Sequence, residues 1–150
     1  MKRIVLLPLA ALALVGGAPA PAANSGSTVT VTVTSLRNSQ GLVQACMMTS
    51  EKSFPKCENV DKGLTASVAA KTGSLKVTFR NVTPGRYAIA LLHDENANGK
   101  ADRVLGMMPK EGFGFSRDAP VRMGPPKFSE AVFDVGEDDH AMTIKMRYLI

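Results

Sequence analysis

Sulfur and imidazole ligands are scarce in this chain, which has two cysteines and two histidines among 150 residues. Cys46 and Cys57 have no histidine beside them, and His93 and His140 lie in separate segments. A zinc site legible in sequence needs closely spaced N and S ligands, so none is read here. The C-x-x-C spacing of a redox pair is also missing. Aromatic residues make up only 5% and do not interleave with the scattered lysines and arginines, which argues against nucleic-acid binding. No serine sits in a G-x-S-x-G elbow. Beyond the N-terminus there is no long apolar run, no sustained helical period and no internal repeat.

The N-terminus reads as a secretory signal. Lys2 and Arg3 precede the apolar stretch Ile4 to Val15, and Ala20-Pro21-Ala22 supplies small residues for cleavage before Ala23. The apolar stretch is shorter than the roughly 20 residues of a membrane span. No cysteine follows it closely, so no lipid anchor is expected. Residues 1–22 are thus taken as a signal peptide and 23–150 as one domain, periplasmic or secreted, with no transmembrane segment. Losing Lys2 and Arg3 takes the formal charge from +5 to +3. Export makes a Cys46–Cys57 disulfide the default expectation.

The mature segment is patterned as strands. Thr28 to Thr34 alternates valine with threonine, a period of two. Further strands are expected at Gly41 to Met48, Leu64 to Ala70, Leu75 to Arg80, Tyr87 to Leu92, Phe128 to Val135 and Met142 to Tyr148. In the last two, Ala131, Phe133, Val135, Met142, Ile144 and Met146 should point inward. Tyr87 to Leu92 is apolar on both faces, as a central strand would be. Residues 103 to 127, rich in Gly, Pro and Met, read as a long, irregular excursion with short strand pieces. Six or seven short strands separated by turn signals predict an all-β fold, an antiparallel sandwich or barrel.

The chemistry concentrates after the Tyr87–Leu92 strand. Asp94, Asn96, Asn98 and Asp102 place side-chain oxygens around Gly99. This is the first half of a calcium loop of the D-x-[DN]-x-[DN]-G kind. The expected ligands are those four side chains and the Lys100 carbonyl, with modest affinity because only two are carboxylates. The twelfth position holds Leu105 rather than the bidentate glutamate of an EF-hand. The competing reading is a polar turn in which Asn and Asp bond to their own backbone. His93, Glu111, Phe113, Phe115 and Ser116 form a second candidate group, a ligand groove beside the loop. Gly112 and Gly114, alternating with Phe113 and Phe115, better suit a strand whose close backbone contact anchors the excursion. Ser116, His93 and Asp118 are a remote candidate for a hydrolase triad. Met47, Met48, Met107, Met108, Met123, Met142 and Met146 raise Cu(I) binding, but their scatter favours core filling.

The stretch Phe79-Arg-Asn-Val-Thr-Pro-Gly-Arg-Tyr-Ala-Ile-Ala, then His93 to Asp102, then Pro109-Lys-Glu-Gly-Phe-Gly-Phe-Ser116, resembles a family of secreted bacterial proteins, domain of unknown function 2141. The resemblance runs from about Val29 to Tyr148. It implies export and an immunoglobulin-like or prealbumin-like β-sandwich, and implies no activity. The Pro-Gly-x-Tyr turn is also similar to that of adhesin B-type and carboxypeptidase regulatory-like domains, some of which carry calcium loops. The expectation is an exported, non-enzymatic sandwich. Its calcium-stabilised Asp94 loop presents a surface to a protein or glycan partner. The alternative is a small-ligand carrier that uses the cleft between this loop and Glu111–Ser116.

Overall fold

A computed structural model describes residues 26–57 and 63–150. The proposed signal segment lies outside the described residues. Among the described residues ten strands appear in chain order: β1 Ser27–Leu36, β2 Leu42–Met48, β3 Leu64–Ala69, β4 Gly73–Val82, β5 Gly85–Asp94, β6 Arg103–Val104, β7 Met108–Pro109, β8 Gly112–Phe115, β9 Phe133–Val135 and β10 His140–Lys145. One short helix, α1, covers Phe128–Ala131, and a 3-10 turn covers Ser116–Asp118. The strands form a sandwich. One sheet has the order β10-β1-β4 and the other β3-β2-β5-β8, with β9 also paired to β5.

The valine–threonine alternation of β1 works as read: Val29, Val31 and Val33 are fully buried while the intervening threonines are partly exposed. These valines meet Val43, Met47, Val77, Phe79, Ile89, Leu91, Ile144 and Met146 in the core between the sheets. Burying each such side chain contributes about 1.5–3 kcal/mol. β5 is buried on both faces because a second apolar cluster covers the outside of its sheet. There Cys46, Met48, Ala88 and Ala90 lie under Phe113 and Phe115, with Phe54 and Phe128 packed on top. Cys46 is bonded to Cys57, which ties the Phe54 loop down over this cluster.

The structure corrects two details. The pairing is not antiparallel throughout, since β1 runs parallel to β10, with Val31 opposite Met142. The first and last strands share no hairpin, so no local turn constrains their direction. The expected strand Phe128 to Val135 begins instead as α1, and only Phe133–Val135 is extended. Glu130 accepts the Lys127 N–H at 2.8 Å and so closes a helical turn after Pro125-Pro126. The short strand pieces expected in the excursion 103–127 are a β6–β7 hairpin and β8, which pairs with β5. A Cβ on Gly112 would lie 2.4 Å from the Tyr148 ring, and one on Gly114 would lie 3.0 Å from Ile144. These glycines let β8 approach the end of the opposite sheet, leaving Phe113 and Phe115 for the outer cluster.

Candidate functional site

At one end of the sandwich, β5 runs out into the Asp94 loop. Asp94 is completely buried. Its Oδ1 accepts the Asn98 N–H at 3.1 Å, and its Oδ2 accepts the Gly99 N–H at 2.8 Å and the Gln44 amide at 2.7 Å. The carboxylate thus folds the loop back over itself. Glu111, 3% exposed, does the same from the next segment. Its two oxygens accept the backbone N–H groups of Glu95 and Asp102, each at 3.1 Å. Two buried carboxylates therefore brace the loop from the inside, Asp94 at its middle and Glu111 at both ends. Buried charges are tolerated only when so compensated. Burial still pushes the Glu111 carboxyl above its ordinary range, even though the two N–H donors favour its ionised form.

The outward half of the loop is a separate network. Asn96 donates to Asp102 at 2.7 Å, and Asn98 donates to both Asp102 oxygens at 3.0 and 3.1 Å. The Asn96 and Asn98 side-chain carbonyls accept the backbone N–H groups of Asn98 and Lys100. Hydrogen bonds from Asn98, then Asn96, hold the Asp102 carboxyl below the usual range. So three of the four predicted oxygen side chains converge, while Asp94 turns inward. Calcium takes about 6–8 oxygens, and of the two expected carboxylate ligands Asp94 is engaged with backbone N–H groups and the Gln44 amide while Asp102 is engaged with side-chain amides. Among the described residues, no three His, Cys, Asp or Glu side chains group as metal ligands.

A third layer surrounds His93, which is fully buried. Its Nε2 lies 2.8 Å from the Gln40 carbonyl, which can only accept, so Nε2 carries the proton in the neutral ring. Nδ1 then accepts from the Tyr148 hydroxyl at 2.7 Å. Arg37 lies over the Tyr148 ring at 4.4 Å and grips Glu95 with two nitrogens. The Arg37 hydrogen bond, more than any other influence, lowers the Glu95 carboxyl to about 2.

The other sequence candidates are placed elsewhere. Ser116 Oγ is buried, donating to the Ala131 carbonyl and accepting the Ile89 N–H. Asp118 accepts the Lys145 N–H, so Ser116, His93 and Asp118 are not hydrogen-bonded to one another. Phe113 and Phe115 lie in the outer apolar cluster. Of the proposed groove residues only Glu111 reaches an open cleft. That cleft, about 400 Å³, is lined by Arg37, Asn38, Gln40, Glu95, Asn96, Asp102, Lys110 and Glu111. Residue patterning did not single out Arg37, Gln44, Lys110 or Tyr148 for this end. Gln44 alone left a trace, as a polar residue inside the otherwise apolar Gly41–Met48 run.

The order of these segments, with the Pro84-Gly85 turn, the braced Asp94 loop and the Gly-Phe-Gly-Phe strand, is matched over residues 31–143 by the family described as "Uncharacterized protein conserved in bacteria (DUF2141)". The chain belongs to this family. The DUF2141 match spans the sandwich from within β1 to within β10 and includes every residue of the loop network. No curated protein and no solved structure matches the chain.

The charges of this DUF2141 chain give its end a signed pH response. Glu95 is depressed in the folded state, so its stabilising effect is full above its unfolded value of 4.5 and disappears as pH falls towards 2. Arg37 is partly exposed, so solvent screening reduces the contribution to about 1–2 kcal/mol. Glu111 has the opposite sign: its raised value favours folding below the unfolded value, and that advantage disappears as pH rises. Glu95→Gln should therefore melt below wild type at neutral pH and converge with it in acid. Thermal unfolding of both proteins across that pH range checks this.

Proposed function

We propose that this chain is an exported, non-enzymatic β-sandwich module that recognises a polar partner, a glycan or a protein loop, through the rim of the Asp94 loop. The observation that carries this is the pair of buried carboxylates, Asp94 and Glu111, spent wholly on holding loop backbone. A plain connecting turn would not need charges in the core. Their effect is to fix Asn96, Asn98, Asp102 and Lys110 at the surface before any partner arrives. Preorganised groups lose less entropy on binding. The cleft beside them is polar and near the small end of ligand sites. This suits a hydroxyl-rich or amide-rich group better than an apolar one. Support for a non-enzymatic role comes from His93 and Ser116, whose polar atoms are engaged in buried structural hydrogen bonds. Export rests on the basic, apolar and small-residue order of the first 22 residues.

Retention on immobilised bacterial envelope polysaccharide and peptidoglycan, compared between wild type and an Asn98→Ala/Asp102→Ala variant of unchanged fold, tests the reading. Wild type should be retained and the variant lost by at least tenfold. Equal behaviour of the two would remove the rim as a recognition surface for glycans. Calcium is tested on Asp102→Ala alone. A melting temperature that rises in millimolar calcium and loses that rise on Asp102→Ala would show that an ion, rather than hydrogen bonds alone, organises the outer half of the loop.

A further inference from the structure

The β6–β7 hairpin projects from the same end, bracketed by Asp102 and Lys110, whose backbones pair at 2.9 Å. Arg103 pairs with Pro109 and Val104 with Met108. The two tip residues, Leu105 and Gly106, both have positive φ, 51° and 71°. The Met107 N–H closes the turn on the Val104 carbonyl. This is the tight turn that normally takes Asn-Gly or Asp-Gly. Leucine in the left-handed region carries a steric penalty, and at 89% exposure it gains nothing from packing. Among the described residues, four of the seven exposed large hydrophobic side chains, Val104, Leu105, Met107 and Met108, sit on this tip. A strained, exposed apolar tip without a folding role points to an external partner.

We infer that this hairpin docks on an anionic lipid surface. The tip carries no polar side chain that could register a protein partner, and it is a convex projection rather than a groove. Exposed Lys100, Arg103 and Lys110 surround its base. Of the carboxylates nearby, Glu95 is paired with Arg37 and Glu111 is buried on backbone N–H groups, which leaves Asp102, bonded to the neutral amides of Asn96 and Asn98, as one anion among three cations. An apolar tip above a cationic collar matches a negatively charged bilayer, with the side chains at the headgroup–acyl boundary and the cations among the headgroups. No helix among the described residues is long and apolar enough to cross a membrane, so contact through the hairpin would be peripheral. The inference goes beyond the rim reading and does not depend on it.

Flotation of the purified protein with phosphatidylglycerol-containing vesicles, and with phosphatidylcholine vesicles alone, tests it. Binding is expected on the anionic vesicles only and should weaken with salt. Leu105→Gly removes both the apolar group and the strained φ. It should preserve or raise the melting temperature while weakening vesicle binding about tenfold or more. Lys100→Gln and Arg103→Gln should each weaken it about fivefold. Absence of flotation, or flotation indifferent to Leu105→Gly, overturns the inference. Self-association in solution lost on Leu105→Gly, without vesicle binding, assigns the tip to a second copy and overturns it equally.

Discussion

Asp94→Ala is expected to lose about 3–5 kcal/mol of stability, the cost of stranding buried donors that served a charged acceptor. Three donors lose their partner at once: the N–H groups of Asn98 and Gly99 and the side-chain amide of Gln44. The first two can reach water when the loop opens. Gln44 is half-buried in β2 and pairs opposite Leu92, so its amide is left with less recourse. For a domain of this size the loss corresponds to a melting temperature lower by roughly 10–20 °C. Asp94→Asn should fall between the two, because the amide keeps one acceptor but turns a donor toward another N–H. Thermal unfolding of the three proteins gives the ranking. Amide hydrogen exchange at Asn98 and Gly99 should rise in Asp94→Ala well before the core strands exchange. Unchanged protection there would mean that Asp94 does not hold the loop.

Gly41→Ala is expected to be as damaging, at about 4 kcal/mol or more, through backbone collision rather than lost bonding. Gly41 has a φ of +66°, which by itself disfavours a side chain. An added Cβ would lie 1.9 Å from the Asp94 carbonyl oxygen and 2.7 Å from the Glu95 carbonyl carbon. Neither neighbour is the flexible end of a side chain, so β2 and β5 would have to part where the loop begins. The Gln40 carbonyl that receives His93 Nε2–H would move with them. Gly73→Ala is the matched control. Gly73 also has positive φ, +90°, but an added Cβ there meets nothing within 4 Å. It should lose only the conformational part, about 1–2 kcal/mol. Equal losses in the two variants would show that the close approach at Gly41 is absent.

How far this end could be foreseen varies from residue to residue. The oxygens of Asn96, Asn98 and Asp102 do gather, as their spacing around Gly99 suggested. Asx-type bonding to nearby N–H groups is local chemistry, available to any short stretch with these side chains. Asp94 belongs to the same pattern yet turns inward, because β5 carries it opposite Leu42, where the Gln44 side chain two residues along β2 reaches it. Glu111 was readable only as a possible neighbour of the loop. Its role as a second brace depends on β8 pairing with β5, which brings His93 opposite Gly112. Arg37 and Tyr148 lie 111 residues apart and meet only because β1 and β10 run parallel and deliver the chain to the same corner.

What local sequence determined was the all-β class, most of the strands, their inward faces, and a polar turn after a buried strand. These follow from side-chain alternation and turn propensity, which act over a few residues. Tertiary structure alone decided the parallel pairing of β1 with β10, the helical start at Phe128, the clasp of Glu111 and the carriage of Leu105 on an exposed tip. Each depends on which distant segment lies alongside, and the gain from burying apolar surface is non-directional, so it leaves no local mark of the partner chosen.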